Sequence, residues 1–205
     1  MRRLVLAAGM AVLLTGCGSA AQTAKNPQPT GSAPPHVHRA KVGDPIALTG
    51  ADDVGGTGRL RLAVKVDKVV SPAVGKGAFE TPRKGERFVA VRFVLKNIGK
   101  TAYDDSPTYG AKAIDASGRG YDPTVATVSA GPGFPRVVRL TRGKVKAGFI
   151  VFAVPKRAKV TAVQYALNTG LAEDVGEWRL GDTPLDVQDF AISTDGKYGF
   201  GESVA

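Results

Sequence analysis

Cysteine is almost absent from this chain: Cys17 is the only one. No disulfide can form within it, so any folded domain must stand on its hydrophobic core. Histidine is nearly as scarce. His36 and His38 are the only two, and the long remainder of the chain holds no imidazole to serve as a base beside a nucleophile. No G-x-S-x-G elbow occurs. Gly55-Gly56-Thr57-Gly58 lacks the Lys-Ser/Thr pair of a phosphate-binding loop. The EF-hand pattern is missing around Asp104-Asp105 and across Asp115 to Asp122, where Arg119 would set a positive charge beside any cation. Both methionines, Met1 and Met10, precede Cys17 and so fall outside the body of the chain. These absences predict a protein that is not an enzyme and carries no cofactor. Long hydrophobic runs are also missing. The apolar stretch from Leu4 to Leu14 is shorter than the about 20 residues needed to cross a bilayer.

What that stretch does have is context. Met1-Arg2-Arg3 supplies a positive start, the apolar run follows, and Leu14-Thr15-Gly16-Cys17 closes it. This is the grammar of a secretory signal, and its last four residues resemble the bacterial lipobox. The resemblance implies cleavage before Cys17 and a diacylglyceryl group on its sulfur. Each buried methylene stabilises membrane attachment by about 0.8 kcal/mol, and two chains hold where one does not. The expected location is the extracytoplasmic face of the cell membrane, lipid-anchored. The alternative is a secreted protein with a lone thiol.

Residues 17–42 are rich in Ala, Pro, Ser, Gln, Thr and Gly and show no apolar periodicity. They are expected to form a disordered tether after a signal peptide over 1–16. The chain is formally +10. The charge is uneven: residues 44–169 carry +11 and residues 170–205 carry −6. The acidic segment 184–205 could fold back on the basic body or simply be solvated. Outside the cytoplasm a basic balance favours an anionic envelope component or a protein partner, with nucleic acid not expected.

The body, residues 43–183, reads as strands. Leu60, Leu62, Val64 and Val66 alternate with Arg59, Arg61, Lys65 and Asp67, the period of a half-buried strand. In F-V-A-V-R-F-V-L-K-N-I, Val89, Val91, Phe93 and Leu95 should face a core, with Arg92 and Lys96 outward. Phe149 to Val154 is apolar throughout, as expected of a central strand covered on both faces. Val160 to Leu167 alternates again. Gly, Pro and Asp clusters punctuate these runs, and Asn97 with Gly99 should end a strand in a turn needing positive φ. The fold class expected is all-β, an antiparallel β-sandwich.

Four pieces carry a family likeness: Gly43-Asp44, the segment Phe88 to Gly99, the D-A-S-G-R-G-Y-D-P hairpin from Asp115 to Pro123, and L-T-R-G-K-V-K-A-G-F-I-V-F-A-V-P from Leu140 to Pro155. Together they resemble the immunoglobulin-like family catalogued as domain of unknown function 4352, over roughly residues 43–168. Arg142 stands where that family often has Pro. The resemblance implies an immunoglobulin-like sandwich and an envelope location, and transfers no catalytic residue.

The functional expectation is a membrane-anchored, non-enzymatic binding module of the cell envelope. Cys17 carries the lipid, and Arg59, Arg61, Lys65, Lys156, Arg157 and Lys159 are the candidate contacts to anionic groups. A small-ligand or metal-delivery protein is the alternative. It would use His36 and His38, which an extended chain points to one side, or a pocket under Trp178, Phe190, Tyr198 and Phe200. A metal site wants three or four ligands, and the expectation is that none is present.

Overall fold

The computed structural model describes residues 35–52 and 59–181 of the chain. Eleven strands form two main sheets and one small one among these residues. The five-stranded sheet runs β1 (His36–Lys41), β11 (Asp174–Arg179), β10 (Val160–Ala166), β6 (Ala111–Asp115) and β7 (Gly120–Tyr121). The four-stranded sheet runs β2 (Pro45–Asp52), β3 (Arg59–Ala73), β4 (Glu86–Asn97) and β9 (Val145–Pro155). A short pair, β5 (Tyr103–Asp105) with β8 (Val138–Leu140), forms a third sheet and sends Tyr103, Val138 and Leu140 into the main core. Pairing is antiparallel within the named strands except between β1 and β11, which is parallel.

One core lies between the two main sheets. Leu62, Val64 and Val66 of β3 and Val89, Val91, Phe93 and Leu95 of β4 are all fully buried there. They meet Val163 and Tyr165 of β10 and Trp178 of β11 from the facing sheet. This is the alternation of a sandwich, with the even positions of β3 inward and Arg59, Arg61 and Lys65 on the other face.

Two expectations change here. The tether does not reach residue 42: residues 36–41 are strand β1, hydrogen-bonded in register with Asp174 to Arg179. Only Val37 and Ala40 are partly buried, on opposite faces, so the segment is polar in composition and still a strand. Its partner supplies what its own apolar content lacks. Second, β9 is an edge strand in the sheet order, not a central one. It is apolar on both faces because the connection before β8 folds over it. Val128 of that connection packs with Val70, Phe88, Ala90, Phe149 and Val151 in a second core. The same connection satisfies the strand edge, with Thr124 N donating to Val151 O at 2.8 Å and Phe149 N to Pro132 O at 2.9 Å. An edge so covered cannot template pairing with another chain.

The turn Thr141–Lys144 explains the Arg142 departure. Lys144 N donates to Thr141 O at 3.0 Å, and Gly143 has φ 79°. That is the third residue of a type II turn, which calls for Gly, while the second favours Pro without requiring it.

Candidate functional site

The two histidines are exposed on β1, on the same side of the strand as Ala40. His38 Nε2 lies 3.5 Å from Asp174 Oδ1. The other Asp174 oxygen accepts Thr49 N at 3.1 Å, so this carboxylate joins β11 to the edge of β2. Burial raises its pKa, but the Thr49 N–H and His38 together outweigh that and hold it below the usual range. Asn168 acts likewise one step along, its Oδ1 accepting Ala51 N at 2.8 Å. These side chains blunt an open strand edge. Among the described residues no three His, Cys, Asp or Glu side chains gather as a metal site.

Asp115, at the head of the hairpin picked out from sequence, is engaged by four donors. Its Oδ1 accepts Ser117 N, Ser117 Oγ and Arg119 N at 2.9, 2.6 and 3.0 Å, and its Oδ2 accepts the Tyr121 hydroxyl at 2.7 Å. Those donors, the Ser117 hydroxyl first, lower its pKa from 3.8 to about 2. The hairpin thus uses the oxygens that a calcium ion would need. The sign of the pH effect follows. A depressed pKa means that the ionised form is favoured in the folded chain, so its stabilisation is full above about pH 4 and is lost as pH falls toward 2. Asp115→Asn is expected to be less stable at neutral pH and to lose stability less steeply than the parent between pH 4 and 2. Acid unfolding followed by Trp178 emission measures both.

The six candidate basic residues do not form one patch. Ile98 N donates to Arg61 O, which places Arg59 and Arg61 beside the last residues of β4. Lys156 N donates to Gly85 O, which places Lys156, Arg157 and Lys159 beside the first. With β4 at 12 residues and about 3.3 Å per residue, the two groups are roughly 40 Å apart.

The first group belongs to a larger array that the sequence did not reveal. Cross-strand partners share a face, and the register sets Arg61 beside Thr49, Lys96 beside Ala63, Lys65 beside Val94, and Lys68 beside Arg92. All lie on the outer face of the four-stranded sheet. Alternate residues and neighbouring strands put successive cations about 8 Å apart. Arg92 pairs with Asp67 at 2.9 Å. Among the described residues, Arg61, Lys65, Lys68 and Lys96 form no ion pair. At one side Lys68 and Arg92 border a groove of about 330 Å³ walled by Pro132, Ala147 and Phe149. The outward positions of Arg92 and Lys96 were readable from β4 alone. Lys68 was not, because β3 carries a bulge between Val66 and Lys68 that returns the lysine to the outer face.

Of the late aromatics, Trp178 is fully buried in the core. Phe190, Tyr198 and Phe200 lie outside the described residues, as do Cys17 and the acidic segment 184–205.

The sequence model described as "Domain of unknown function (DUF4352)" matches residues 54–174. No curated protein matches the chain. Solved structures of similar fold include MPT63, a secreted protein of Mycobacterium tuberculosis, with 21% identity and a TM-score of 0.49 over 71% of this chain and 98% of that one. Another is ycdA of Bacillus subtilis, described as a candidate lipoprotein, with 12% identity and a TM-score of 0.49. It aligns over 69% of this chain but only 38% of its own length. A third, an uncharacterised β-sandwich protein of Clostridium difficile, has 10% identity and a TM-score of 0.40 over 73% of this chain and 97% of that one.

Proposed function

This chain belongs to the family of the domain of unknown function DUF4352, and on that premise we propose that it is an extracytoplasmic lipoprotein whose sandwich is a non-enzymatic binding module for an anionic component of the cell envelope. Cys17 carries the diacylglyceryl anchor in this reading. The observation that supports the binding role is the row of cations on the outer face of the four-stranded sheet, Arg61, Lys65, Lys68 and Lys96, with Asp67 the carboxylate already engaged by Arg92. Part of that same face is covered by the connection before β8; Arg61, Lys68 and Lys96 are exposed and Lys65 is half-buried. A repeating anion at similar spacing would meet several of these charges at once, so its attraction would sum and would fall with salt. The groove between Lys68 and Phe149 favours a second reading, in which the same face holds a small ligand with an anionic head and an apolar body.

The anchor and the face are tested separately. Cells producing Cys17→Ser are expected to release the chain into the medium while the parent stays with the membrane fraction. Equal retention of both sinks the anchor. The released chain, titrated with a poly(glycerol phosphate), is expected to bind at low salt. Lys65→Glu with Lys68→Glu and Lys96→Glu should weaken that binding by at least about tenfold. A triple variant that binds as the parent does removes the face from the account.

A further inference from the structure

We propose that the end of the sandwich formed by the β3–β4 loop, the start of the connection before β8 and the β9–β10 turn docks on an anionic lipid bilayer. The observation that prompts this is a pair of apolar side chains with no cover. Phe79 is 100% exposed and Val125 is 106% exposed. Scattered apolar residues on a surface are ordinary, but large ones held together at a protruding tip mark contact sites.

These two are held together. Both border one cleft, of about 420 Å³. Glu80, next to Phe79, accepts Thr127 N at 2.9 Å, Thr127 Oγ1 at 2.5 Å and Gly77 N at 3.0 Å. Lys76 N donates to Thr127 O at 3.0 Å, and Ser129 N donates to Val74 O at 2.9 Å. The β3–β4 loop and the segment carrying Val125 are therefore stitched into a double loop, so presenting both tips costs little further ordering entropy.

Cations surround the tips. Lys76, Arg83 and Lys84 are exposed on the same loop, and Lys156 and Arg157 are exposed on the adjoining turn. Lys156 N donates to Gly85 O at 2.9 Å and Arg87 Nη2 to Ala158 O at 3.0 Å, which fixes that turn beside the loop. Of the acids at this end, Glu80 is taken up by the stitching, Asp115 by the donors of its own hairpin, and Asp122 is paired with Lys112 at 3.2 Å; Glu86 remains. The balance is positive around an apolar point. A soluble polyanion would have no use for Phe79 and Val125, and an apolar protein surface none for five cations. An anionic bilayer interface uses both, taking the tips into the headgroup region and the cations at its surface.

The test uses the Cys17→Ser chain, so that acyl groups cannot bring it to lipid, and vesicles of phosphatidylglycerol with phosphatidylcholine against phosphatidylcholine alone. Co-sedimentation should occur with the anionic vesicles only and weaken as salt rises. Phe79→Ser with Val125→Ser should lower the partition coefficient about tenfold or more, as should Lys84→Glu with Arg157→Glu. Neither pair should move the thermal midpoint, because the altered side chains are exposed. Phe79→Trp adds a second readout: a blue shift of emission on mixing, against the constant signal of buried Trp178. Binding that salt abolishes but Phe79→Ser with Val125→Ser leaves intact overturns the proposal, as does absence of binding to either vesicle. Because no acyl chain is present, either failure leaves the Cys17 anchor untouched.

Discussion

Trp178→Ala is expected to destabilise the folded chain by about 3–5 kcal/mol, a large share of what holds an ordinary domain together. The tryptophan is fully buried on β11. Its ring meets Phe93 of the opposite sheet edge-on, with centroids 6.2 Å apart and planes at 86°. Phe93 in turn lies 5.3 Å from Tyr165. The three rings cross the interior from sheet to sheet, so truncating the first opens a cavity where the two layers are joined. A second loss adds to it. Trp178 Nε1 donates to Asp44 O at 2.8 Å, and alanine leaves that carbonyl without its partner. The residue next but one shows how closely the ring is packed: a Cβ on Gly176 would come within 2.7 Å of Trp178 Cη2. Denaturant unfolding followed by far-UV circular dichroism measures the effect. Trp178→Phe should cost less than Trp178→Ala, because it keeps an aromatic ring in the space and loses only the hydrogen bond and part of the volume. A loss below about 1 kcal/mol for the alanine variant would mean the rings do not join the sheets.

The same core marks what the sequence could and could not tell. β3 was legible because it buries one face and wets the other over much of its length, so the period-two pattern is written in the residues themselves; β4 was legible from Arg92 and Lys96, although Phe88, Ala90 and Val94 on its outer face are buried as well. Trp178 was legible as a large apolar group whose commoner fate is burial. β1 was not. H-V-H-R-A-K has only Val37 and Ala40 partly buried, and its strand state is conferred by a partner more than 130 residues away, at Asp174 to Arg179. Local composition cannot report such a pairing. β9 misled for the opposite reason. Its residues state that both faces are covered, which is true, but not whether by strands or by a loop such as the one carrying Val128. The basic residues show the same limit at the level of the site. Arg59, Arg61 and Lys65 share a strand with Lys68, yet the bulge before Lys68 and the register with Lys96 decide which charges become neighbours.

Asn97 is the second position where a single change should be severe, at about 2–4 kcal/mol for alanine. It is the last residue of β4 and has no exposed surface. Its Nδ2 donates to Thr101 O and to Leu140 O, both at 2.8 Å, and its Oδ1 accepts Gly99 N at 2.8 Å. One amide therefore closes the turn after β4 and ties it to the end of β8. The expectation that Gly99 is needed for positive φ does not hold, since Gly99 is not among the glycines in the left-handed region. Space decides there instead: a Cβ would stand 3.1 Å from Arg61 N. The turn geometry comes from the asparagine side chain. Alanine removes both donors and takes from the Leu140 carbonyl its buried partner. Asn97→Asp tests the cause, because it keeps the shape and the acceptor but sets a charged oxygen against the carbonyls of Thr101 and Leu140. At neutral pH the aspartate variant is expected to be less stable than the alanine one, and to recover part of the difference as acid protonates it. If alanine and aspartate cost the same and neither responds to pH, Asn97 acts by filling space and not by donating.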